Sequence, residues 1–198
     1  MNPEKLRYAK EVEAKALADH DSLLLAEAFY LYGKLYTFAG DPAGSQRYFL
    51  KSQAILEPRG DSYELGRIYC RLSENTKLID TIQAKRYVQL AVGVFHRIGS
   101  LKGQVTAYGL LGQLYDARSK LENSKALRDS AFRCFSRVEA LGRRLNDTLS
   151  MAEANLHMAE FYGNENAASI PFLENALRYF TAKKSKRSML VTRQQLAD

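Results

Sequence analysis

The stretch Leu31-Tyr-Gly-Lys-Leu-Tyr36, LYGKLY, sets a glycine in the middle of a segment that otherwise has strong helical character. Glycine in a helix interior costs roughly 0.5–1 kcal/mol relative to alanine, so its presence asks for a packing reason. Nearly the same pattern returns as ELGRIY at 64–69, LLGQLY at 110–115 and HMAEFY at 157–162. Aligned on the small residue, the motifs give Gly33, Gly66, Gly112 and Ala159, each preceded by a large side chain: Tyr32, Leu65, Leu111, Met158. Three positions later come Tyr36, Tyr69, Tyr115 and Tyr162. Residues i and i+3 share a helix face, so each small residue and its tyrosine look toward one neighbour. Phe29 and Tyr108, four residues before Gly33 and Gly112, lie on that face too. The pattern predicts a second helix in close approach at every small residue.

Each motif is followed by another amphipathic stretch. After the first, Gly40-Asp41-Pro42 breaks the helix, with Asp41 as N-cap and Pro42 at the first helical position. Tyr48, Phe49, Ser52, Ile55 and Leu56 then recur at helical spacing. Ala84, Val88, Ala91, Phe95 and Ile98 do so after the second motif, and Ala131, Phe135, Val138 and Leu141 after the third. Phe172, Leu173, Ala176, Leu177 and Phe180 follow the fourth. The long segments have helical period and the alternating runs are short, which predicts an all-α chain of helix hairpins.

This order of residues resembles the tetratricopeptide repeat (TPR) family, whose first helix carries a large apolar residue, Leu-Gly and Tyr and whose second carries Ala, Phe, Ala. The first unit matches at Phe29, Tyr32-Gly33, Tyr36, Ser45, Phe49, Ser52 and Pro58, with serine keeping the small volume of alanine. The third matches at Tyr108, Leu111-Gly112, Tyr115, Ala131, Phe135 and Val138. The resemblance covers most of the chain and implies a right-handed α-α superhelix, or solenoid, of about four hairpins. Its units would span 23–58, 59–101, 102–145 and 146–182 in a single domain, with flanking helices at 3–19 and 188–198. The small residues are spaced wider than the family's regular step after the first interval. The extra residues fall in SENTKLIDTIQ and SKLENSKALRD, whose helical composition predicts longer helices; eight more helical residues add about 12 Å. The link RIGSLKGQ is similar to the long-repeat variant of bacterial signalling and regulatory proteins. The fourth unit's second helix aligns only with a deletion. The opening EKLRYAKEVEAKALADH reads as the second helix of an earlier unit or as an N-terminal cap, and the closing RQQLAD places Leu196-Ala197 where each unit has its large-small pair. This predicts a segment of a longer protein, a chain ending in a capping helix being the alternative.

Composition bounds the function. The longest apolar run, Leu23-Leu-Leu-Ala26, ends at Glu27, and the charged N-terminus lacks a signal's apolar region. The expectation is no membrane insertion and a cytoplasmic location, unless the segment belongs to a membrane-anchored sensor. Cys70 and Cys134 sit in apolar helical context and read as buried thiols. His20, His96 and His157 are far apart with no ligand spacing, and no nucleophile elbow or phosphate loop occurs. The expectation is no enzyme, no metal and no cofactor. The net charge of +7 permits acidic partners; the basic run Lys183-Lys184-Ser185-Lys186-Arg187 lacks interleaved aromatics and reads as a solvated turn.

The family binds an extended peptide or a partner helix in a groove lined by the first helices. Carried over, that groove takes Glu27, Tyr30, Lys34, Thr37 and Phe38, then Tyr63, Arg67, Cys70 and Arg71. Thr106, Gln113 and Asp116, then Glu153, Leu156, Glu160 and Asn164, would follow. Its first half is aromatic and basic, its second polar to acidic. The family's carboxylate clamp is incomplete, since Tyr30 and Tyr63 stand where it is polar. The expected site is therefore Tyr30, Lys34, Phe38, Tyr63, Arg67, Arg71 and Gln113, meeting an acidic or aromatic protein segment, with the four tyrosines purely structural. The resemblance implies a protein–protein interaction module, a sensor or scaffold in signalling. A receptor for a short signalling peptide and a nucleic-acid-binding helical repeat are the alternatives, the acidic half-groove weighing against nucleic acid. Self-association through an exposed end face is a further expectation.

Overall fold

A computed structural model of the chain describes residues 2–163 and 166–182, together with Met189 and Thr192. The expected flanking helix 188–198, the basic run 183–187 and Asn164 therefore lie outside the described residues, Met189 and Thr192 excepted. The helices are α1 (Pro3–Ala18), α2 (Ser22–Phe38), α3 (Pro42–Leu56), α4 (Tyr63–Thr76), α5 (Thr81–Arg97), α6 (Leu101–Glu122), α7 (Lys125–Leu145), α8 (Thr148–Tyr162) and α9 (Ile170–Ala182). No strand occurs among the described residues, so the chain is all-α, built of helical hairpins. They divide into two compact units between Ser100 and Leu101. Within each unit, helices pack on their neighbours in sequence.

Helix starts are set by side-chain caps. The Asp21 carboxylate accepts from the Leu23 and Leu24 amides, and Asp41 from Gly44, with Pro42 opening α3. Of the two inserts, SKLENSKALRD lengthens its helices as expected: α6 has 22 residues and α7 has 21. Both inserts contain a break, but SENTKLIDTIQ adds no such length, since α4 has 14 residues and α5 has 17. Here α4 ends at Thr76, and Asp80 accepts from the Ile82 and Gln83 amides to start α5. An acidic N-cap overrides helical composition there.

The glycines answer to phenylalanine. A Cβ on Gly33 would enter the Phe49 ring; on Gly66 it would lie 2.6 Å from Phe95, and on Gly112 2.7 Å from Phe135. Each phenylalanine belongs to the second helix of the same hairpin and is almost wholly buried. The step from a small residue to Phe four positions on recurs as Ser45–Phe49, Ala91–Phe95, Ala131–Phe135 and Ala176–Phe180, all buried. That supplies the register of α9, where Ala176 and Phe180 pack with Ala152 of α8. Ala159 is fully buried as well.

The tyrosines differ from one another. Tyr36 is half-buried and stacks on Tyr48 at 5.4 Å. Tyr69 is 3% exposed, and its hydroxyl donates to Glu57 at 2.7 Å. Tyr115 packs on the core around Phe135. Tyr162, at 36% exposure, is a rim residue stacked on Phe172 at 5.6 Å and edge-on to Phe132.

Serine in place of alanine does more than save volume. The buried Ser45 hydroxyl donates to the Gly33 carbonyl at 2.9 Å, lies 2.6 Å from Thr37 Oγ1 and accepts from Asn75 Nδ2 at 2.7 Å. Ser52 donates to the Ala26 carbonyl at 2.8 Å. Cys70 and Cys134 are free and buried, and burial pushes their thiols up to about 12 and about 11.

Candidate functional site

The first unit holds a cleft of about 550 Å³ between the start of α2, the end of α3 and the start of α4. Ala26, Tyr30, Leu56 and Ile68 give it an apolar floor, with Leu23 and Leu24 at one edge. Its charged lining is Asp21, Glu27, Glu64, Arg59 and Arg67. The Tyr30 ring is 5% exposed and sits 5.8 Å from Phe49. Over it lie the Arg67 guanidinium, 3.8 Å from the ring centre, and Lys34 Nζ at 5.6 Å. Arg67 Nη2 donates to Glu27 at 2.6 Å, while its buried Nε has no acceptor. Arg59 donates to Ser22 Oγ at 2.6 Å and to the Ile55 carbonyl.

The other expected site residues are scattered. Arg71 pairs with Glu74 at 2.6 Å. Phe38, 76% exposed at the end of α2, carries Lys5 Nζ 5.4 Å from its ring centre. Tyr63 packs on Phe95 at 5.6 Å and does not line the cleft. Cys70 is core, and Thr37 belongs to the Ser45 network. The basic half-groove is thus a set of cations already matched to acids: among the described residues only Lys34 of the three has no carboxylate partner. Arg59, Glu64 and Leu23 are cleft residues outside the expected set: Arg59 follows α3, Leu23 stands in the first turn of α2 ahead of the repeat positions carried over from the family, and Glu64 stands in the first turn of α4 between two of them.

Gln113 belongs to the second unit. There it lines a smaller cleft of about 230 Å³ with Thr106, Glu153 and His157, over Phe135 and Val138. The His157 ring stacks on Phe135 at 4.4 Å, and its Nδ1 lies 3.9 Å from Glu160. His157, with Lys120 at 3.6 Å, holds the Glu160 carboxyl below its ordinary range, whereas burial raises that of Glu153. Asp116 pairs with Lys120 at 2.7 Å, and Leu156 packs with Ala176 and Phe180. Among the described residues no group of His, Cys, Asp or Glu is placed to hold a metal, and no helix is long and apolar enough to cross a membrane.

No family model matches the chain, and no curated protein matches it. Among solved structures it is similar to BtubC (BKLC) from P. vanneervenii, at 15% identity and a TM-score of 0.51, over 98% of this chain and 90% of that one. At that identity the likeness speaks to the helical fold alone. The DHF38 filament aligns over 98% of this chain and 96% of its own at 17% identity, but its TM-score of 0.27 has no bearing on the fold.

Proposed function

We propose that this chain is a non-catalytic interaction module of tetratricopeptide type that seats a segment of a partner protein in the first-unit cleft. The observation that carries this is the cleft itself. Its volume, about 550 Å³, falls within the range of small-molecule and side-chain sites, and its floor is apolar. Its walls come from the first helices of two consecutive hairpins, pinned together by Arg67 on Tyr30 and Glu27. A preformed wall avoids part of the ordering cost of association. A sensor or scaffold role in cytoplasmic signalling is the setting in which such a module fits.

The test is capture of the native partner by the immobilised chain, compared with Leu23→Glu at the cleft edge and Leu121→Glu as an exposed control in the second unit. Loss of the partner with the first variant alone is expected; equal recovery with both rejects the cleft. A receptor for a short signalling peptide would instead give a thermal shift with peptides and no captured protein. A nucleic-acid role is disfavoured because Arg67 and Arg71 are already engaged by Glu27 and Glu74, leaving phosphate to compete for them.

A further inference from the structure

We infer that the segment seated in the first-unit cleft offers an apolar side chain to the floor and a lysine or arginine to Glu64 at the rim. This rests on the proposed interaction role and reverses the acidic preference that the sequence suggests. The cleft lining carries three carboxylates, on Asp21, Glu27 and Glu64, against two guanidiniums, on Arg59 and Arg67.

What matters is which of these charges is free. Glu27 is committed to Arg67 at 2.6 Å. Asp21 caps α2 through two amides, at 2.9 and 3.0 Å. Arg67 is held by Glu27 and the Tyr30 face, and Arg59 by a serine hydroxyl and a backbone carbonyl. Glu64, exposed in the first turn of α4, forms no ion pair among the described residues. An incoming carboxylate would have to displace Glu27 to reach Arg67 and compete with the Ser22 hydroxyl and the Ile55 carbonyl for Arg59, whereas an incoming cation finds Glu64 without an ion pair or a hydrogen-bonded partner among the described residues. The arginines keep spare N–H donors, since a guanidinium has five, and these suit neutral backbone carbonyls of an extended segment. The net charge of +7 opposes a basic ligand only at range. Exposed charges farther than roughly 8 Å are screened at physiological salt, so the local carboxylate decides.

The probe is a phage-displayed library of random dodecapeptides selected on the full chain, with winners synthesised and measured by fluorescence anisotropy. Enrichment of an apolar residue beside Lys or Arg is expected, with binding lost in Leu23→Glu. Glu64→Gln should weaken the best peptide about 3- to 5-fold, the range of an exposed ion pair, and replacing the peptide's cation should weaken it equally. In Glu64→Gln that second replacement should have no further effect. Enrichment of Asp or Glu beside the apolar residue, or indifference to Glu64→Gln, overturns the inference while leaving the interaction role standing. Failure to enrich any peptide sensitive to Leu23→Glu overturns both.

Discussion

The Arg67 guanidinium lies 3.8 Å from the centre of the Tyr30 ring while the same side chain holds Glu27 at 2.6 Å. One residue of α4 therefore binds two of α2, and does so through groups still 30% and 37% exposed for the ion pair. Solvent screening limits that pair to about 1 kcal/mol at most, and the cation–π contact adds about 0.5–2 kcal/mol.

Arg67→Ala should cost about 1–2 kcal/mol in urea denaturation. A double-mutant cycle with Glu27→Gln should show a coupling of some tenths of a kcal/mol or more. Strict additivity would mean that the pair contributes no energy.

Gly66→Ala should destabilise by about 1–3 kcal/mol, because a Cβ placed 2.6 Å from the Phe95 ring overpacks a filled core. Gly109→Ala, with nothing within 4 Å of the added atom, should stabilise by up to about 1 kcal/mol from helix propensity. Thermal melting of the two variants should move in opposite directions.

Tyr69→Ala should cost about 3 kcal/mol or more, as for other large buried aromatics. Tyr69→Phe, losing only the bond to Glu57, should cost about 1 kcal/mol. Tyr162→Ala should cost clearly less than Tyr69→Ala, since its ring is at the rim. Equal losses in the two alanine variants would contradict the burial difference.

Alkali should loosen the fold before it ionises the native thiols. Burial raises Cys70 and Cys134 from an ordinary 9.0 to about 12 and about 11, and also raises the Tyr32 and Tyr69 phenols. The native state then keeps protons that the unfolded chain gives up, so stability is whole below pH 9 and declines through pH 11 to 12. Unfolding followed by denaturant at pH 8 and pH 10.5 should show the loss, and Cys70→Ala with Cys134→Ala should flatten it.

The glycine–tyrosine recurrence made the hairpins legible, because a costly residue in a helix has to be explained by something against it, and Phe49, Phe95 and Phe135 are that something. The charges were less legible. Glu27 and Arg67 are 40 positions apart, so their pairing is a product of folding, although Glu74, three residues after Arg71, is a pair that helical spacing does announce. Tyr162 matches the other motif tyrosines in spacing, yet spacing assigns a face and not a depth.

Ser45 has a mechanical consequence. Its hydroxyl meets α2 through the Gly33 carbonyl and α4 through the Asn75 amide, in a place closed to water. Sliding α4 by one turn, about 5.4 Å, would break the Asn75–Ser45 bond while leaving Ser45 on Gly33, a loss of about 0.5–1.5 kcal/mol that greasy side chains alone would not impose. A single oxygen thus acts as a detent that fixes where successive hairpins stop against each other.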